Sequence, residues 1–188
     1  MSTIIFINGT SSSGKTSLLK LLQKQLPEPY LDMGIDKFIW MLPSRYLDRP
    51  LWDEVLGKAL QAGPVGRSLF SGMHHAIAGA ASRSNNILAD HVFVEKAWVD
   101  ECAELFSGMN AYLIGLHCPL EILEQREKDR KDRTLGQAKL QYAVIHKYTK
   151  YDLDLDTSKL SIEECAEQVI KRLKSPPMAF KTLKIPKG

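Results

Sequence analysis

Cysteine is scarce: three residues in 188, at Cys102, Cys118 and Cys165, far apart and with no Cys-x-x-Cys pair or histidine at ligand spacing. That excludes a disulfide framework and a cysteine-built zinc site, and it fits a reducing compartment. No apolar run approaches a membrane span, and the N-terminus runs into a strand-like segment without a basic leader, so a cytoplasmic, membrane-free protein is expected. Repeats and low-complexity tracts are also missing. Net charge is nearly absent: 25 basic against 22 acidic residues leave +3, and Lys181, Lys184 and Lys187 in the acid-free stretch 175–188 account for all of it. A body without a basic surplus lacks the electrostatic footprint of a nucleic-acid binder. With 44% apolar and 25% charged residues the chain is not a disordered one. One folded domain over residues 1–174 and a basic C-terminal tail over 175–188 are expected.

Against that background one motif stands out. Gly9-Thr10-Ser11-Ser12-Ser13-Gly14-Lys15-Thr16 fits the phosphate-loop pattern G-x-x-x-x-G-K-[ST] at every specified position. The β-branched run Ile4-Ile5-Phe6-Ile7 precedes it and an amphipathic stretch from Ser17 to Leu22 follows, so strand, loop and helix come in the required order. Gly9 and Gly14 free the backbone to curl, and the loop amides then face phosphate oxygens at a helix start. In this setting Lys15 reaches the β- and γ-phosphates, and the Thr16 hydroxyl is placed to ligate Mg²⁺ bridging them. ATP and Mg²⁺ are the cofactors this motif calls for.

Beyond the first helix, Pro27-Glu28-Pro29 breaks the chain, and Tyr30 to Ile35 reads as a second strand ending at Asp36. Ligands in open α/β sheets lie past the carboxyl ends of the strands, which makes Asp36 a catalytic candidate; the alternative is an N-cap for the helix that follows. Residues 42–64, rich in turn formers and aromatics, read as an insertion over the acceptor site or as a surface loop packed on itself. A helix over Ser68–Ser82 carries His74 and His75, to which no role is assigned. Ile87-Leu88-Ala89-Asp90 reads as a buried strand whose terminal acid suits a Mg²⁺ site beside Thr16, with a simple turn as the alternative.

Glu95–Phe106 reads as a helix and Ala111–Cys118 as a strand stopped by Pro119, with His117 given no role. Between Glu124 and Arg133, Arg126, Arg130 and Arg133 suit a lid that closes on phosphates. A solvated helix laced by i,i+4 pairs, with Arg126 paired to Glu121 or Asp129, is the competing reading. Residues 151–157 alternate as a fifth strand, and Ser161 with Glu164 forms a capping box for a last helix over 162–173. After Ser175-Pro176-Pro177 a loose or partner-bound strip is expected.

Gly9–Thr16, Gly34-Ile35-Asp36, Asp90-His91-Val92-Phe93, the three arginines with Gly136-Gln137-Ala138, and Tyr151-Asp152 with Asp156-Thr157 together resemble the chloramphenicol phosphotransferase-like family, over roughly residues 3–172. The resemblance implies a three-layer α/β P-loop kinase fold: a five-stranded parallel sheet, an arginine lid and an insertion after strand two. It implies transfer of the ATP γ-phosphate to a hydroxyl of a small molecule, chloramphenicol for the founding enzyme. Lys15 and Thr16 would hold ATP and Mg²⁺, Asp36 would be the general base, and Arg126, Arg130 and Arg133 would form the lid. The chain departs from the pattern in residues 37–64 and at His91, where a second Asp is expected. Two rival functions stay open: a nucleotide or nucleotide-sugar kinase similar to the zeta-toxin group, and a non-catalytic nucleotide-binding regulator.

Overall fold

In the computed structural model, residues 2–47, 62–129 and 136–184 are described. Five strands form one sheet in the order β2-β3-β1-β4-β5, with every neighbouring pair parallel. They are β1 (Ile4–Gly9), β2 (Tyr30–Asp32), β3 (Asn86–His91), β4 (Ala111–His117) and β5 (Leu153–Asp156). Parallel pairing demands a crossover between successive strands, and the helices that supply it cover both faces. That is why β1 opens on the apolar run Ile4–Ile7: all six residues of the strand are buried.

Side chains alternate across β1. Ile4 and Phe6 face one layer, and Ile5 and Ile7 the other. On the second face lie α1 (Lys15–Gln25) and α7 (Ile162–Arg172), which pack against each other through Leu18, Leu22, Cys165 and Val169. The first face carries α2 (Ile35–Ile39), α3 (Pro64–Ser82), α4 (Lys96–Phe106) and α8 (Ala179–Leu183). The helices α5 (Leu120–Asp129) and α6 (Gln137–Tyr142) pack on one another. The three-layer α/β architecture expected from the sequence is the one observed.

The Ser161/Glu164 capping box is formed, with both reciprocal bonds in place. Three local expectations are corrected. The helix expected from Ser68 begins at Pro64, because a proline at N1 needs no N–H partner. Strand two stops at Asp32, four residues before Asp36, because the Asp32 carboxylate accepts the Gly34 N–H and turns the chain. Residues 178–184 are not a loose strip: Phe180 is 2% exposed and packs on Phe6 and Phe106. The fully buried Asp152 carboxylate holds their start, accepting N–H bonds from Met178 and Ala179 while it pairs with Arg172.

Candidate active site

The phosphate loop fills the space between β1 and α1. Gly9 is required by crowding, since a Cβ there would lie 2.6 Å from Ser13 Oγ and 3.0 Å from the Leu116 carbonyl. Gly14 is required by its backbone, which sits at φ 95° as the N-cap of α1. Ser12 adopts φ 62° without being glycine, a conformation that costs energy and concentrates at ligand sites. Lys15 folds back over the loop, its Nζ donating to the carbonyls of Gly9 (2.9 Å) and Thr10 (2.7 Å). The Ser11, Ser12 and Ser13 hydroxyls are buried and have no hydrogen-bond partner among the described residues. Three desolvated, unpaired hydroxyls in a row at the start of an eleven-residue helix with no acid in its first turn fit a loop built to receive phosphate oxygens.

Asp90 lies opposite. The Thr16 hydroxyl donates to its Oδ2 at 3.3 Å, so the two residues expected at the metal are brought together. Burial, leaving Asp90 7% exposed, pushes its carboxyl pKa up; Lys15 opposes the rise, and the neighbouring charges of Asp36 and Asp32 reinforce it. Asp36 and Asp32 are thus near enough for their charge to reach Asp90, and a divalent cation there would relieve the repulsion. Among the described residues no three His, Cys, Asp or Glu side chains form a metal cage. One hydroxyl and one carboxylate suit Mg²⁺, which keeps waters and takes phosphate oxygens as its other ligands.

Asp36 sits in the first turn of α2, not at a strand end, and Gly34 rather than Asp36 is the N-cap. Both positional readings drawn from the sequence are thus corrected, while Asp36 remains close enough to act on the Asp90 charge. Of the arginines, Arg126 donates to the Thr157 hydroxyl (3.2 Å) and carbonyl (2.8 Å), not to Glu121 or Asp129. Arg130 and Arg133 lie outside the described residues, as does 48–61 of the insertion. The described part of the insertion packs Leu42, Tyr46 and Leu47 against the core and leaves Trp40 and Met41, just before it, exposed.

Sequence reasoning missed the histidines. His74, buried in α3, contacts Glu101 through Nδ1 at 2.6 Å and His91 through Nε2 at 3.0 Å. The Val92 N–H donates to His91 Nδ1, so the His91 proton is on Nε2 and His74 must carry its own on Nδ1. Burial lowers the pKa of both rings and keeps them neutral. A second pair, His117 and His146, stacks with centroids 3.9 Å apart. With Thr10, Cys118, Pro119, Tyr142 and Asp156 it lines a cavity of about 430 Å³ beside the phosphate loop. The signal was present for His91, whose alternation with Ala89 on β3 turns it toward the helical layer containing His74; none was present for the 117–146 pair.

A phosphate loop, a threonine hydroxyl bonded to a buried aspartate, and a further aspartate on α2, carried on a sheet of order 2-3-1-4-5, are the features of a small-molecule kinase of the P-loop class. The description chloramphenicol phosphotransferase-like protein matches residues 2–174, and the chain belongs to that family. Rv2636 of Mycobacterium tuberculosis H37Rv, named as a candidate O-phosphotransferase, is 29% identical over 96% of this chain and 87% of its own. Among solved structures, a sugar kinase from Janibacter superposes with TM-score 0.67 at 16% identity, covering 98% of this chain and 99% of that one. The Mycobacterium tuberculosis APS kinase CysC, in complex with AMPPNP and APS, gives 0.65 at 19% identity, covering 93% and 98%. These two structures share the fold.

Proposed function

We propose that the protein transfers the γ-phosphate of Mg-ATP to a hydroxyl of a small-molecule alcohol, with chloramphenicol the first acceptor to try. The observation that carries the reading is the convergence of Lys15, Thr16 and Asp90 on a loop whose three serine hydroxyls are unpaired. Bound Mg²⁺ would supply charge neutralisation across the phosphates. Thr16 and Asp90 would hold it, and the loop amides with the serine hydroxyls would fix the phosphates. Lys15 would exchange its two backbone carbonyls for phosphate oxygens. Asp36 would orient the acceptor hydroxyl and take its proton as the oxygen attacks phosphorus. Arg126, Arg130 and Arg133 are assigned to the phosphates on the family pattern, Arg126 from its anchorage on Thr157. The transition state is loose, so positioning and electrostatics carry most of the catalysis and no covalent enzyme intermediate is needed.

The experiment is an acceptor screen: protein, Mg-ATP and a panel of alcohols including chloramphenicol, sugars and nucleosides, read by mass spectrometry. Gain of one phosphoryl group by an alcohol, lost in Lys15→Ala, supports the reading. ATP binding with no transfer to any hydroxyl overturns it in favour of a nucleotide-binding regulator. Transfer to a nucleotide alone, competed by that nucleotide's phosphates and by salt, leaves the mechanism and changes the acceptor class.

A further inference from the structure

We infer that Gln141 is a positioning residue for nucleotide binding: its side-chain carbonyl holds one amide of the phosphate loop and keeps the loop in its phosphate-receiving shape. The Ser11 N–H donates to Gln141 Oε1 at 2.7 Å, and both residues are buried, at 7% and 8% exposure. A backbone amide only donates, so the carboxamide must present its oxygen and the bond has one orientation. The Thr10–Ser11 peptide is thereby held on both its sides, by Lys15 on the carbonyls of Gly9 and Thr10 and by Gln141 on the amide of Ser11, and only the second hold stays when Lys15 turns to a phosphate. Between these fastenings and Gly14 lie Ser12, with its positive φ, and the three unpaired hydroxyls.

An acceptor oxygen at a phosphate-loop amide can also be read as a stand-in that the phosphate displaces. The anchoring of Gln141 argues for a permanent latch. Helix α6 is tied at its start by the Glu127 carboxylate, 2% exposed, which accepts the N–H groups of Gly136 (2.7 Å) and Ala138 (3.0 Å). Just past α6, Asn8 Nδ2 donates to the Ile145 carbonyl at 2.9 Å and to the Tyr151 hydroxyl at 2.6 Å. Asn8 is the residue before Gly9, and its Oδ1 is itself fixed by the Phe93 N–H. The backbone that carries Gln141 is therefore held on both sides, so the helix cannot shift away from the loop without breaking those bonds. Phosphate recognition then falls to the amides from Ser12 onward, the serine hydroxyls and Lys15, with Ser11 N–H already committed.

The two readings differ in the sign of one measurement. Gln141→Met keeps the shape and removes the acceptor. A latch makes Mg-AMP-PNP bind about tenfold more weakly by calorimetry, since the released loop must be ordered again on binding; the buried donor left unpaired also lowers the unfolding midpoint. Tighter or unchanged binding overturns the inference. In the ¹⁵N-labelled wild type, the Ser11 amide proton should exchange slowly both free and with Mg-AMP-PNP; rapid exchange in either state also overturns it, and this holds even if the variant fails to fold. The inference rests on the proposed function only in taking nucleotide phosphates as the ligand. Failure of the wild type to bind Mg-AMP-PNP would count against that function, while rapid Ser11 exchange in the free protein would overturn the bond to Gln141 whatever the ligand.

Discussion

The Asp90 carboxylate occupies the space where a side chain on Gly34 would have to be: a Cβ on Gly34 would overlap Asp90 Oδ1. Gly34 has an ordinary backbone, φ −70°, so close approach and not conformational freedom demands glycine here. Gly34→Ala should displace Asp90 from Thr16 and lower phosphoryl transfer by about 10²-fold, the scale on which ångström misplacement acts. Steady-state kinetics at saturating Mg²⁺ check this, and wild-type turnover would refute the place of Asp90 in the site.

Lys15→Ala should abolish detectable transfer and weaken Mg-ATP binding by about 10²-fold or more, because the charge folded onto the loop carbonyls is lost. Calorimetry with Mg-AMP-PNP separates the binding loss from the loss of turnover.

Asp36→Asn should retain Mg-ATP affinity and cut turnover by about 10²-fold, the usual worth of a positioned base. Turnover and affinity should be measured on one preparation. A variant as active as the wild type would leave Asp36 a first-turn helix acid and nothing more.

Asp152→Ala should destabilise the fold by about 3 kcal/mol, since it removes the carboxylate paired with Arg172, leaving that side chain only backbone carbonyls, and unpairs the amides of Leu113, Met178 and Ala179. Urea unfolding measures the loss, and proteolysis should then reach residues 178–184, which the wild type keeps packed.

Stability should fall with acid below about pH 6.5, where an unfolded histidine titrates. The Asn8 amide donates to the Tyr151 oxygen, so the Tyr151 proton goes to His146 Nδ1. Burial, helped by His117 and Lys15, holds the His146 pKa down to about 4. Between those two values the unfolded chain binds a proton that the native state refuses, so stability is full above the upper value and declines toward the lower. The loss from His146 is about 2 kcal/mol, less than the full shift because the ring is only partly buried. The buried His74 and His91 act in the same direction. Urea titrations from about pH 7 to pH 4 should show this slope, shallower in His146→Gln.

The amino-acid sequence by itself determined the phosphate loop, the order of the strands and of the helices up to Arg172, and the pairing of Thr16 with an acid near the end of a buried strand. These are local or periodic facts: loop chemistry, 3.6-residue and two-residue alternation, and the rule that parallel strands deliver their ends to one edge. Asp36 was legible as a residue of interest but not as a helical one, because the turn that ends β2 at Asp32 depends on a side chain bonding two residues on. Only the tertiary structure decided which distant groups meet. Gln141 reaches Ser11 across 130 positions, Asp152 holds Met178 across 26, and His74 finds His91 across 17. No spacing rule encodes such contacts. They arise when packing excludes water from polar groups and leaves each of them to find a partner wherever the fold has placed one.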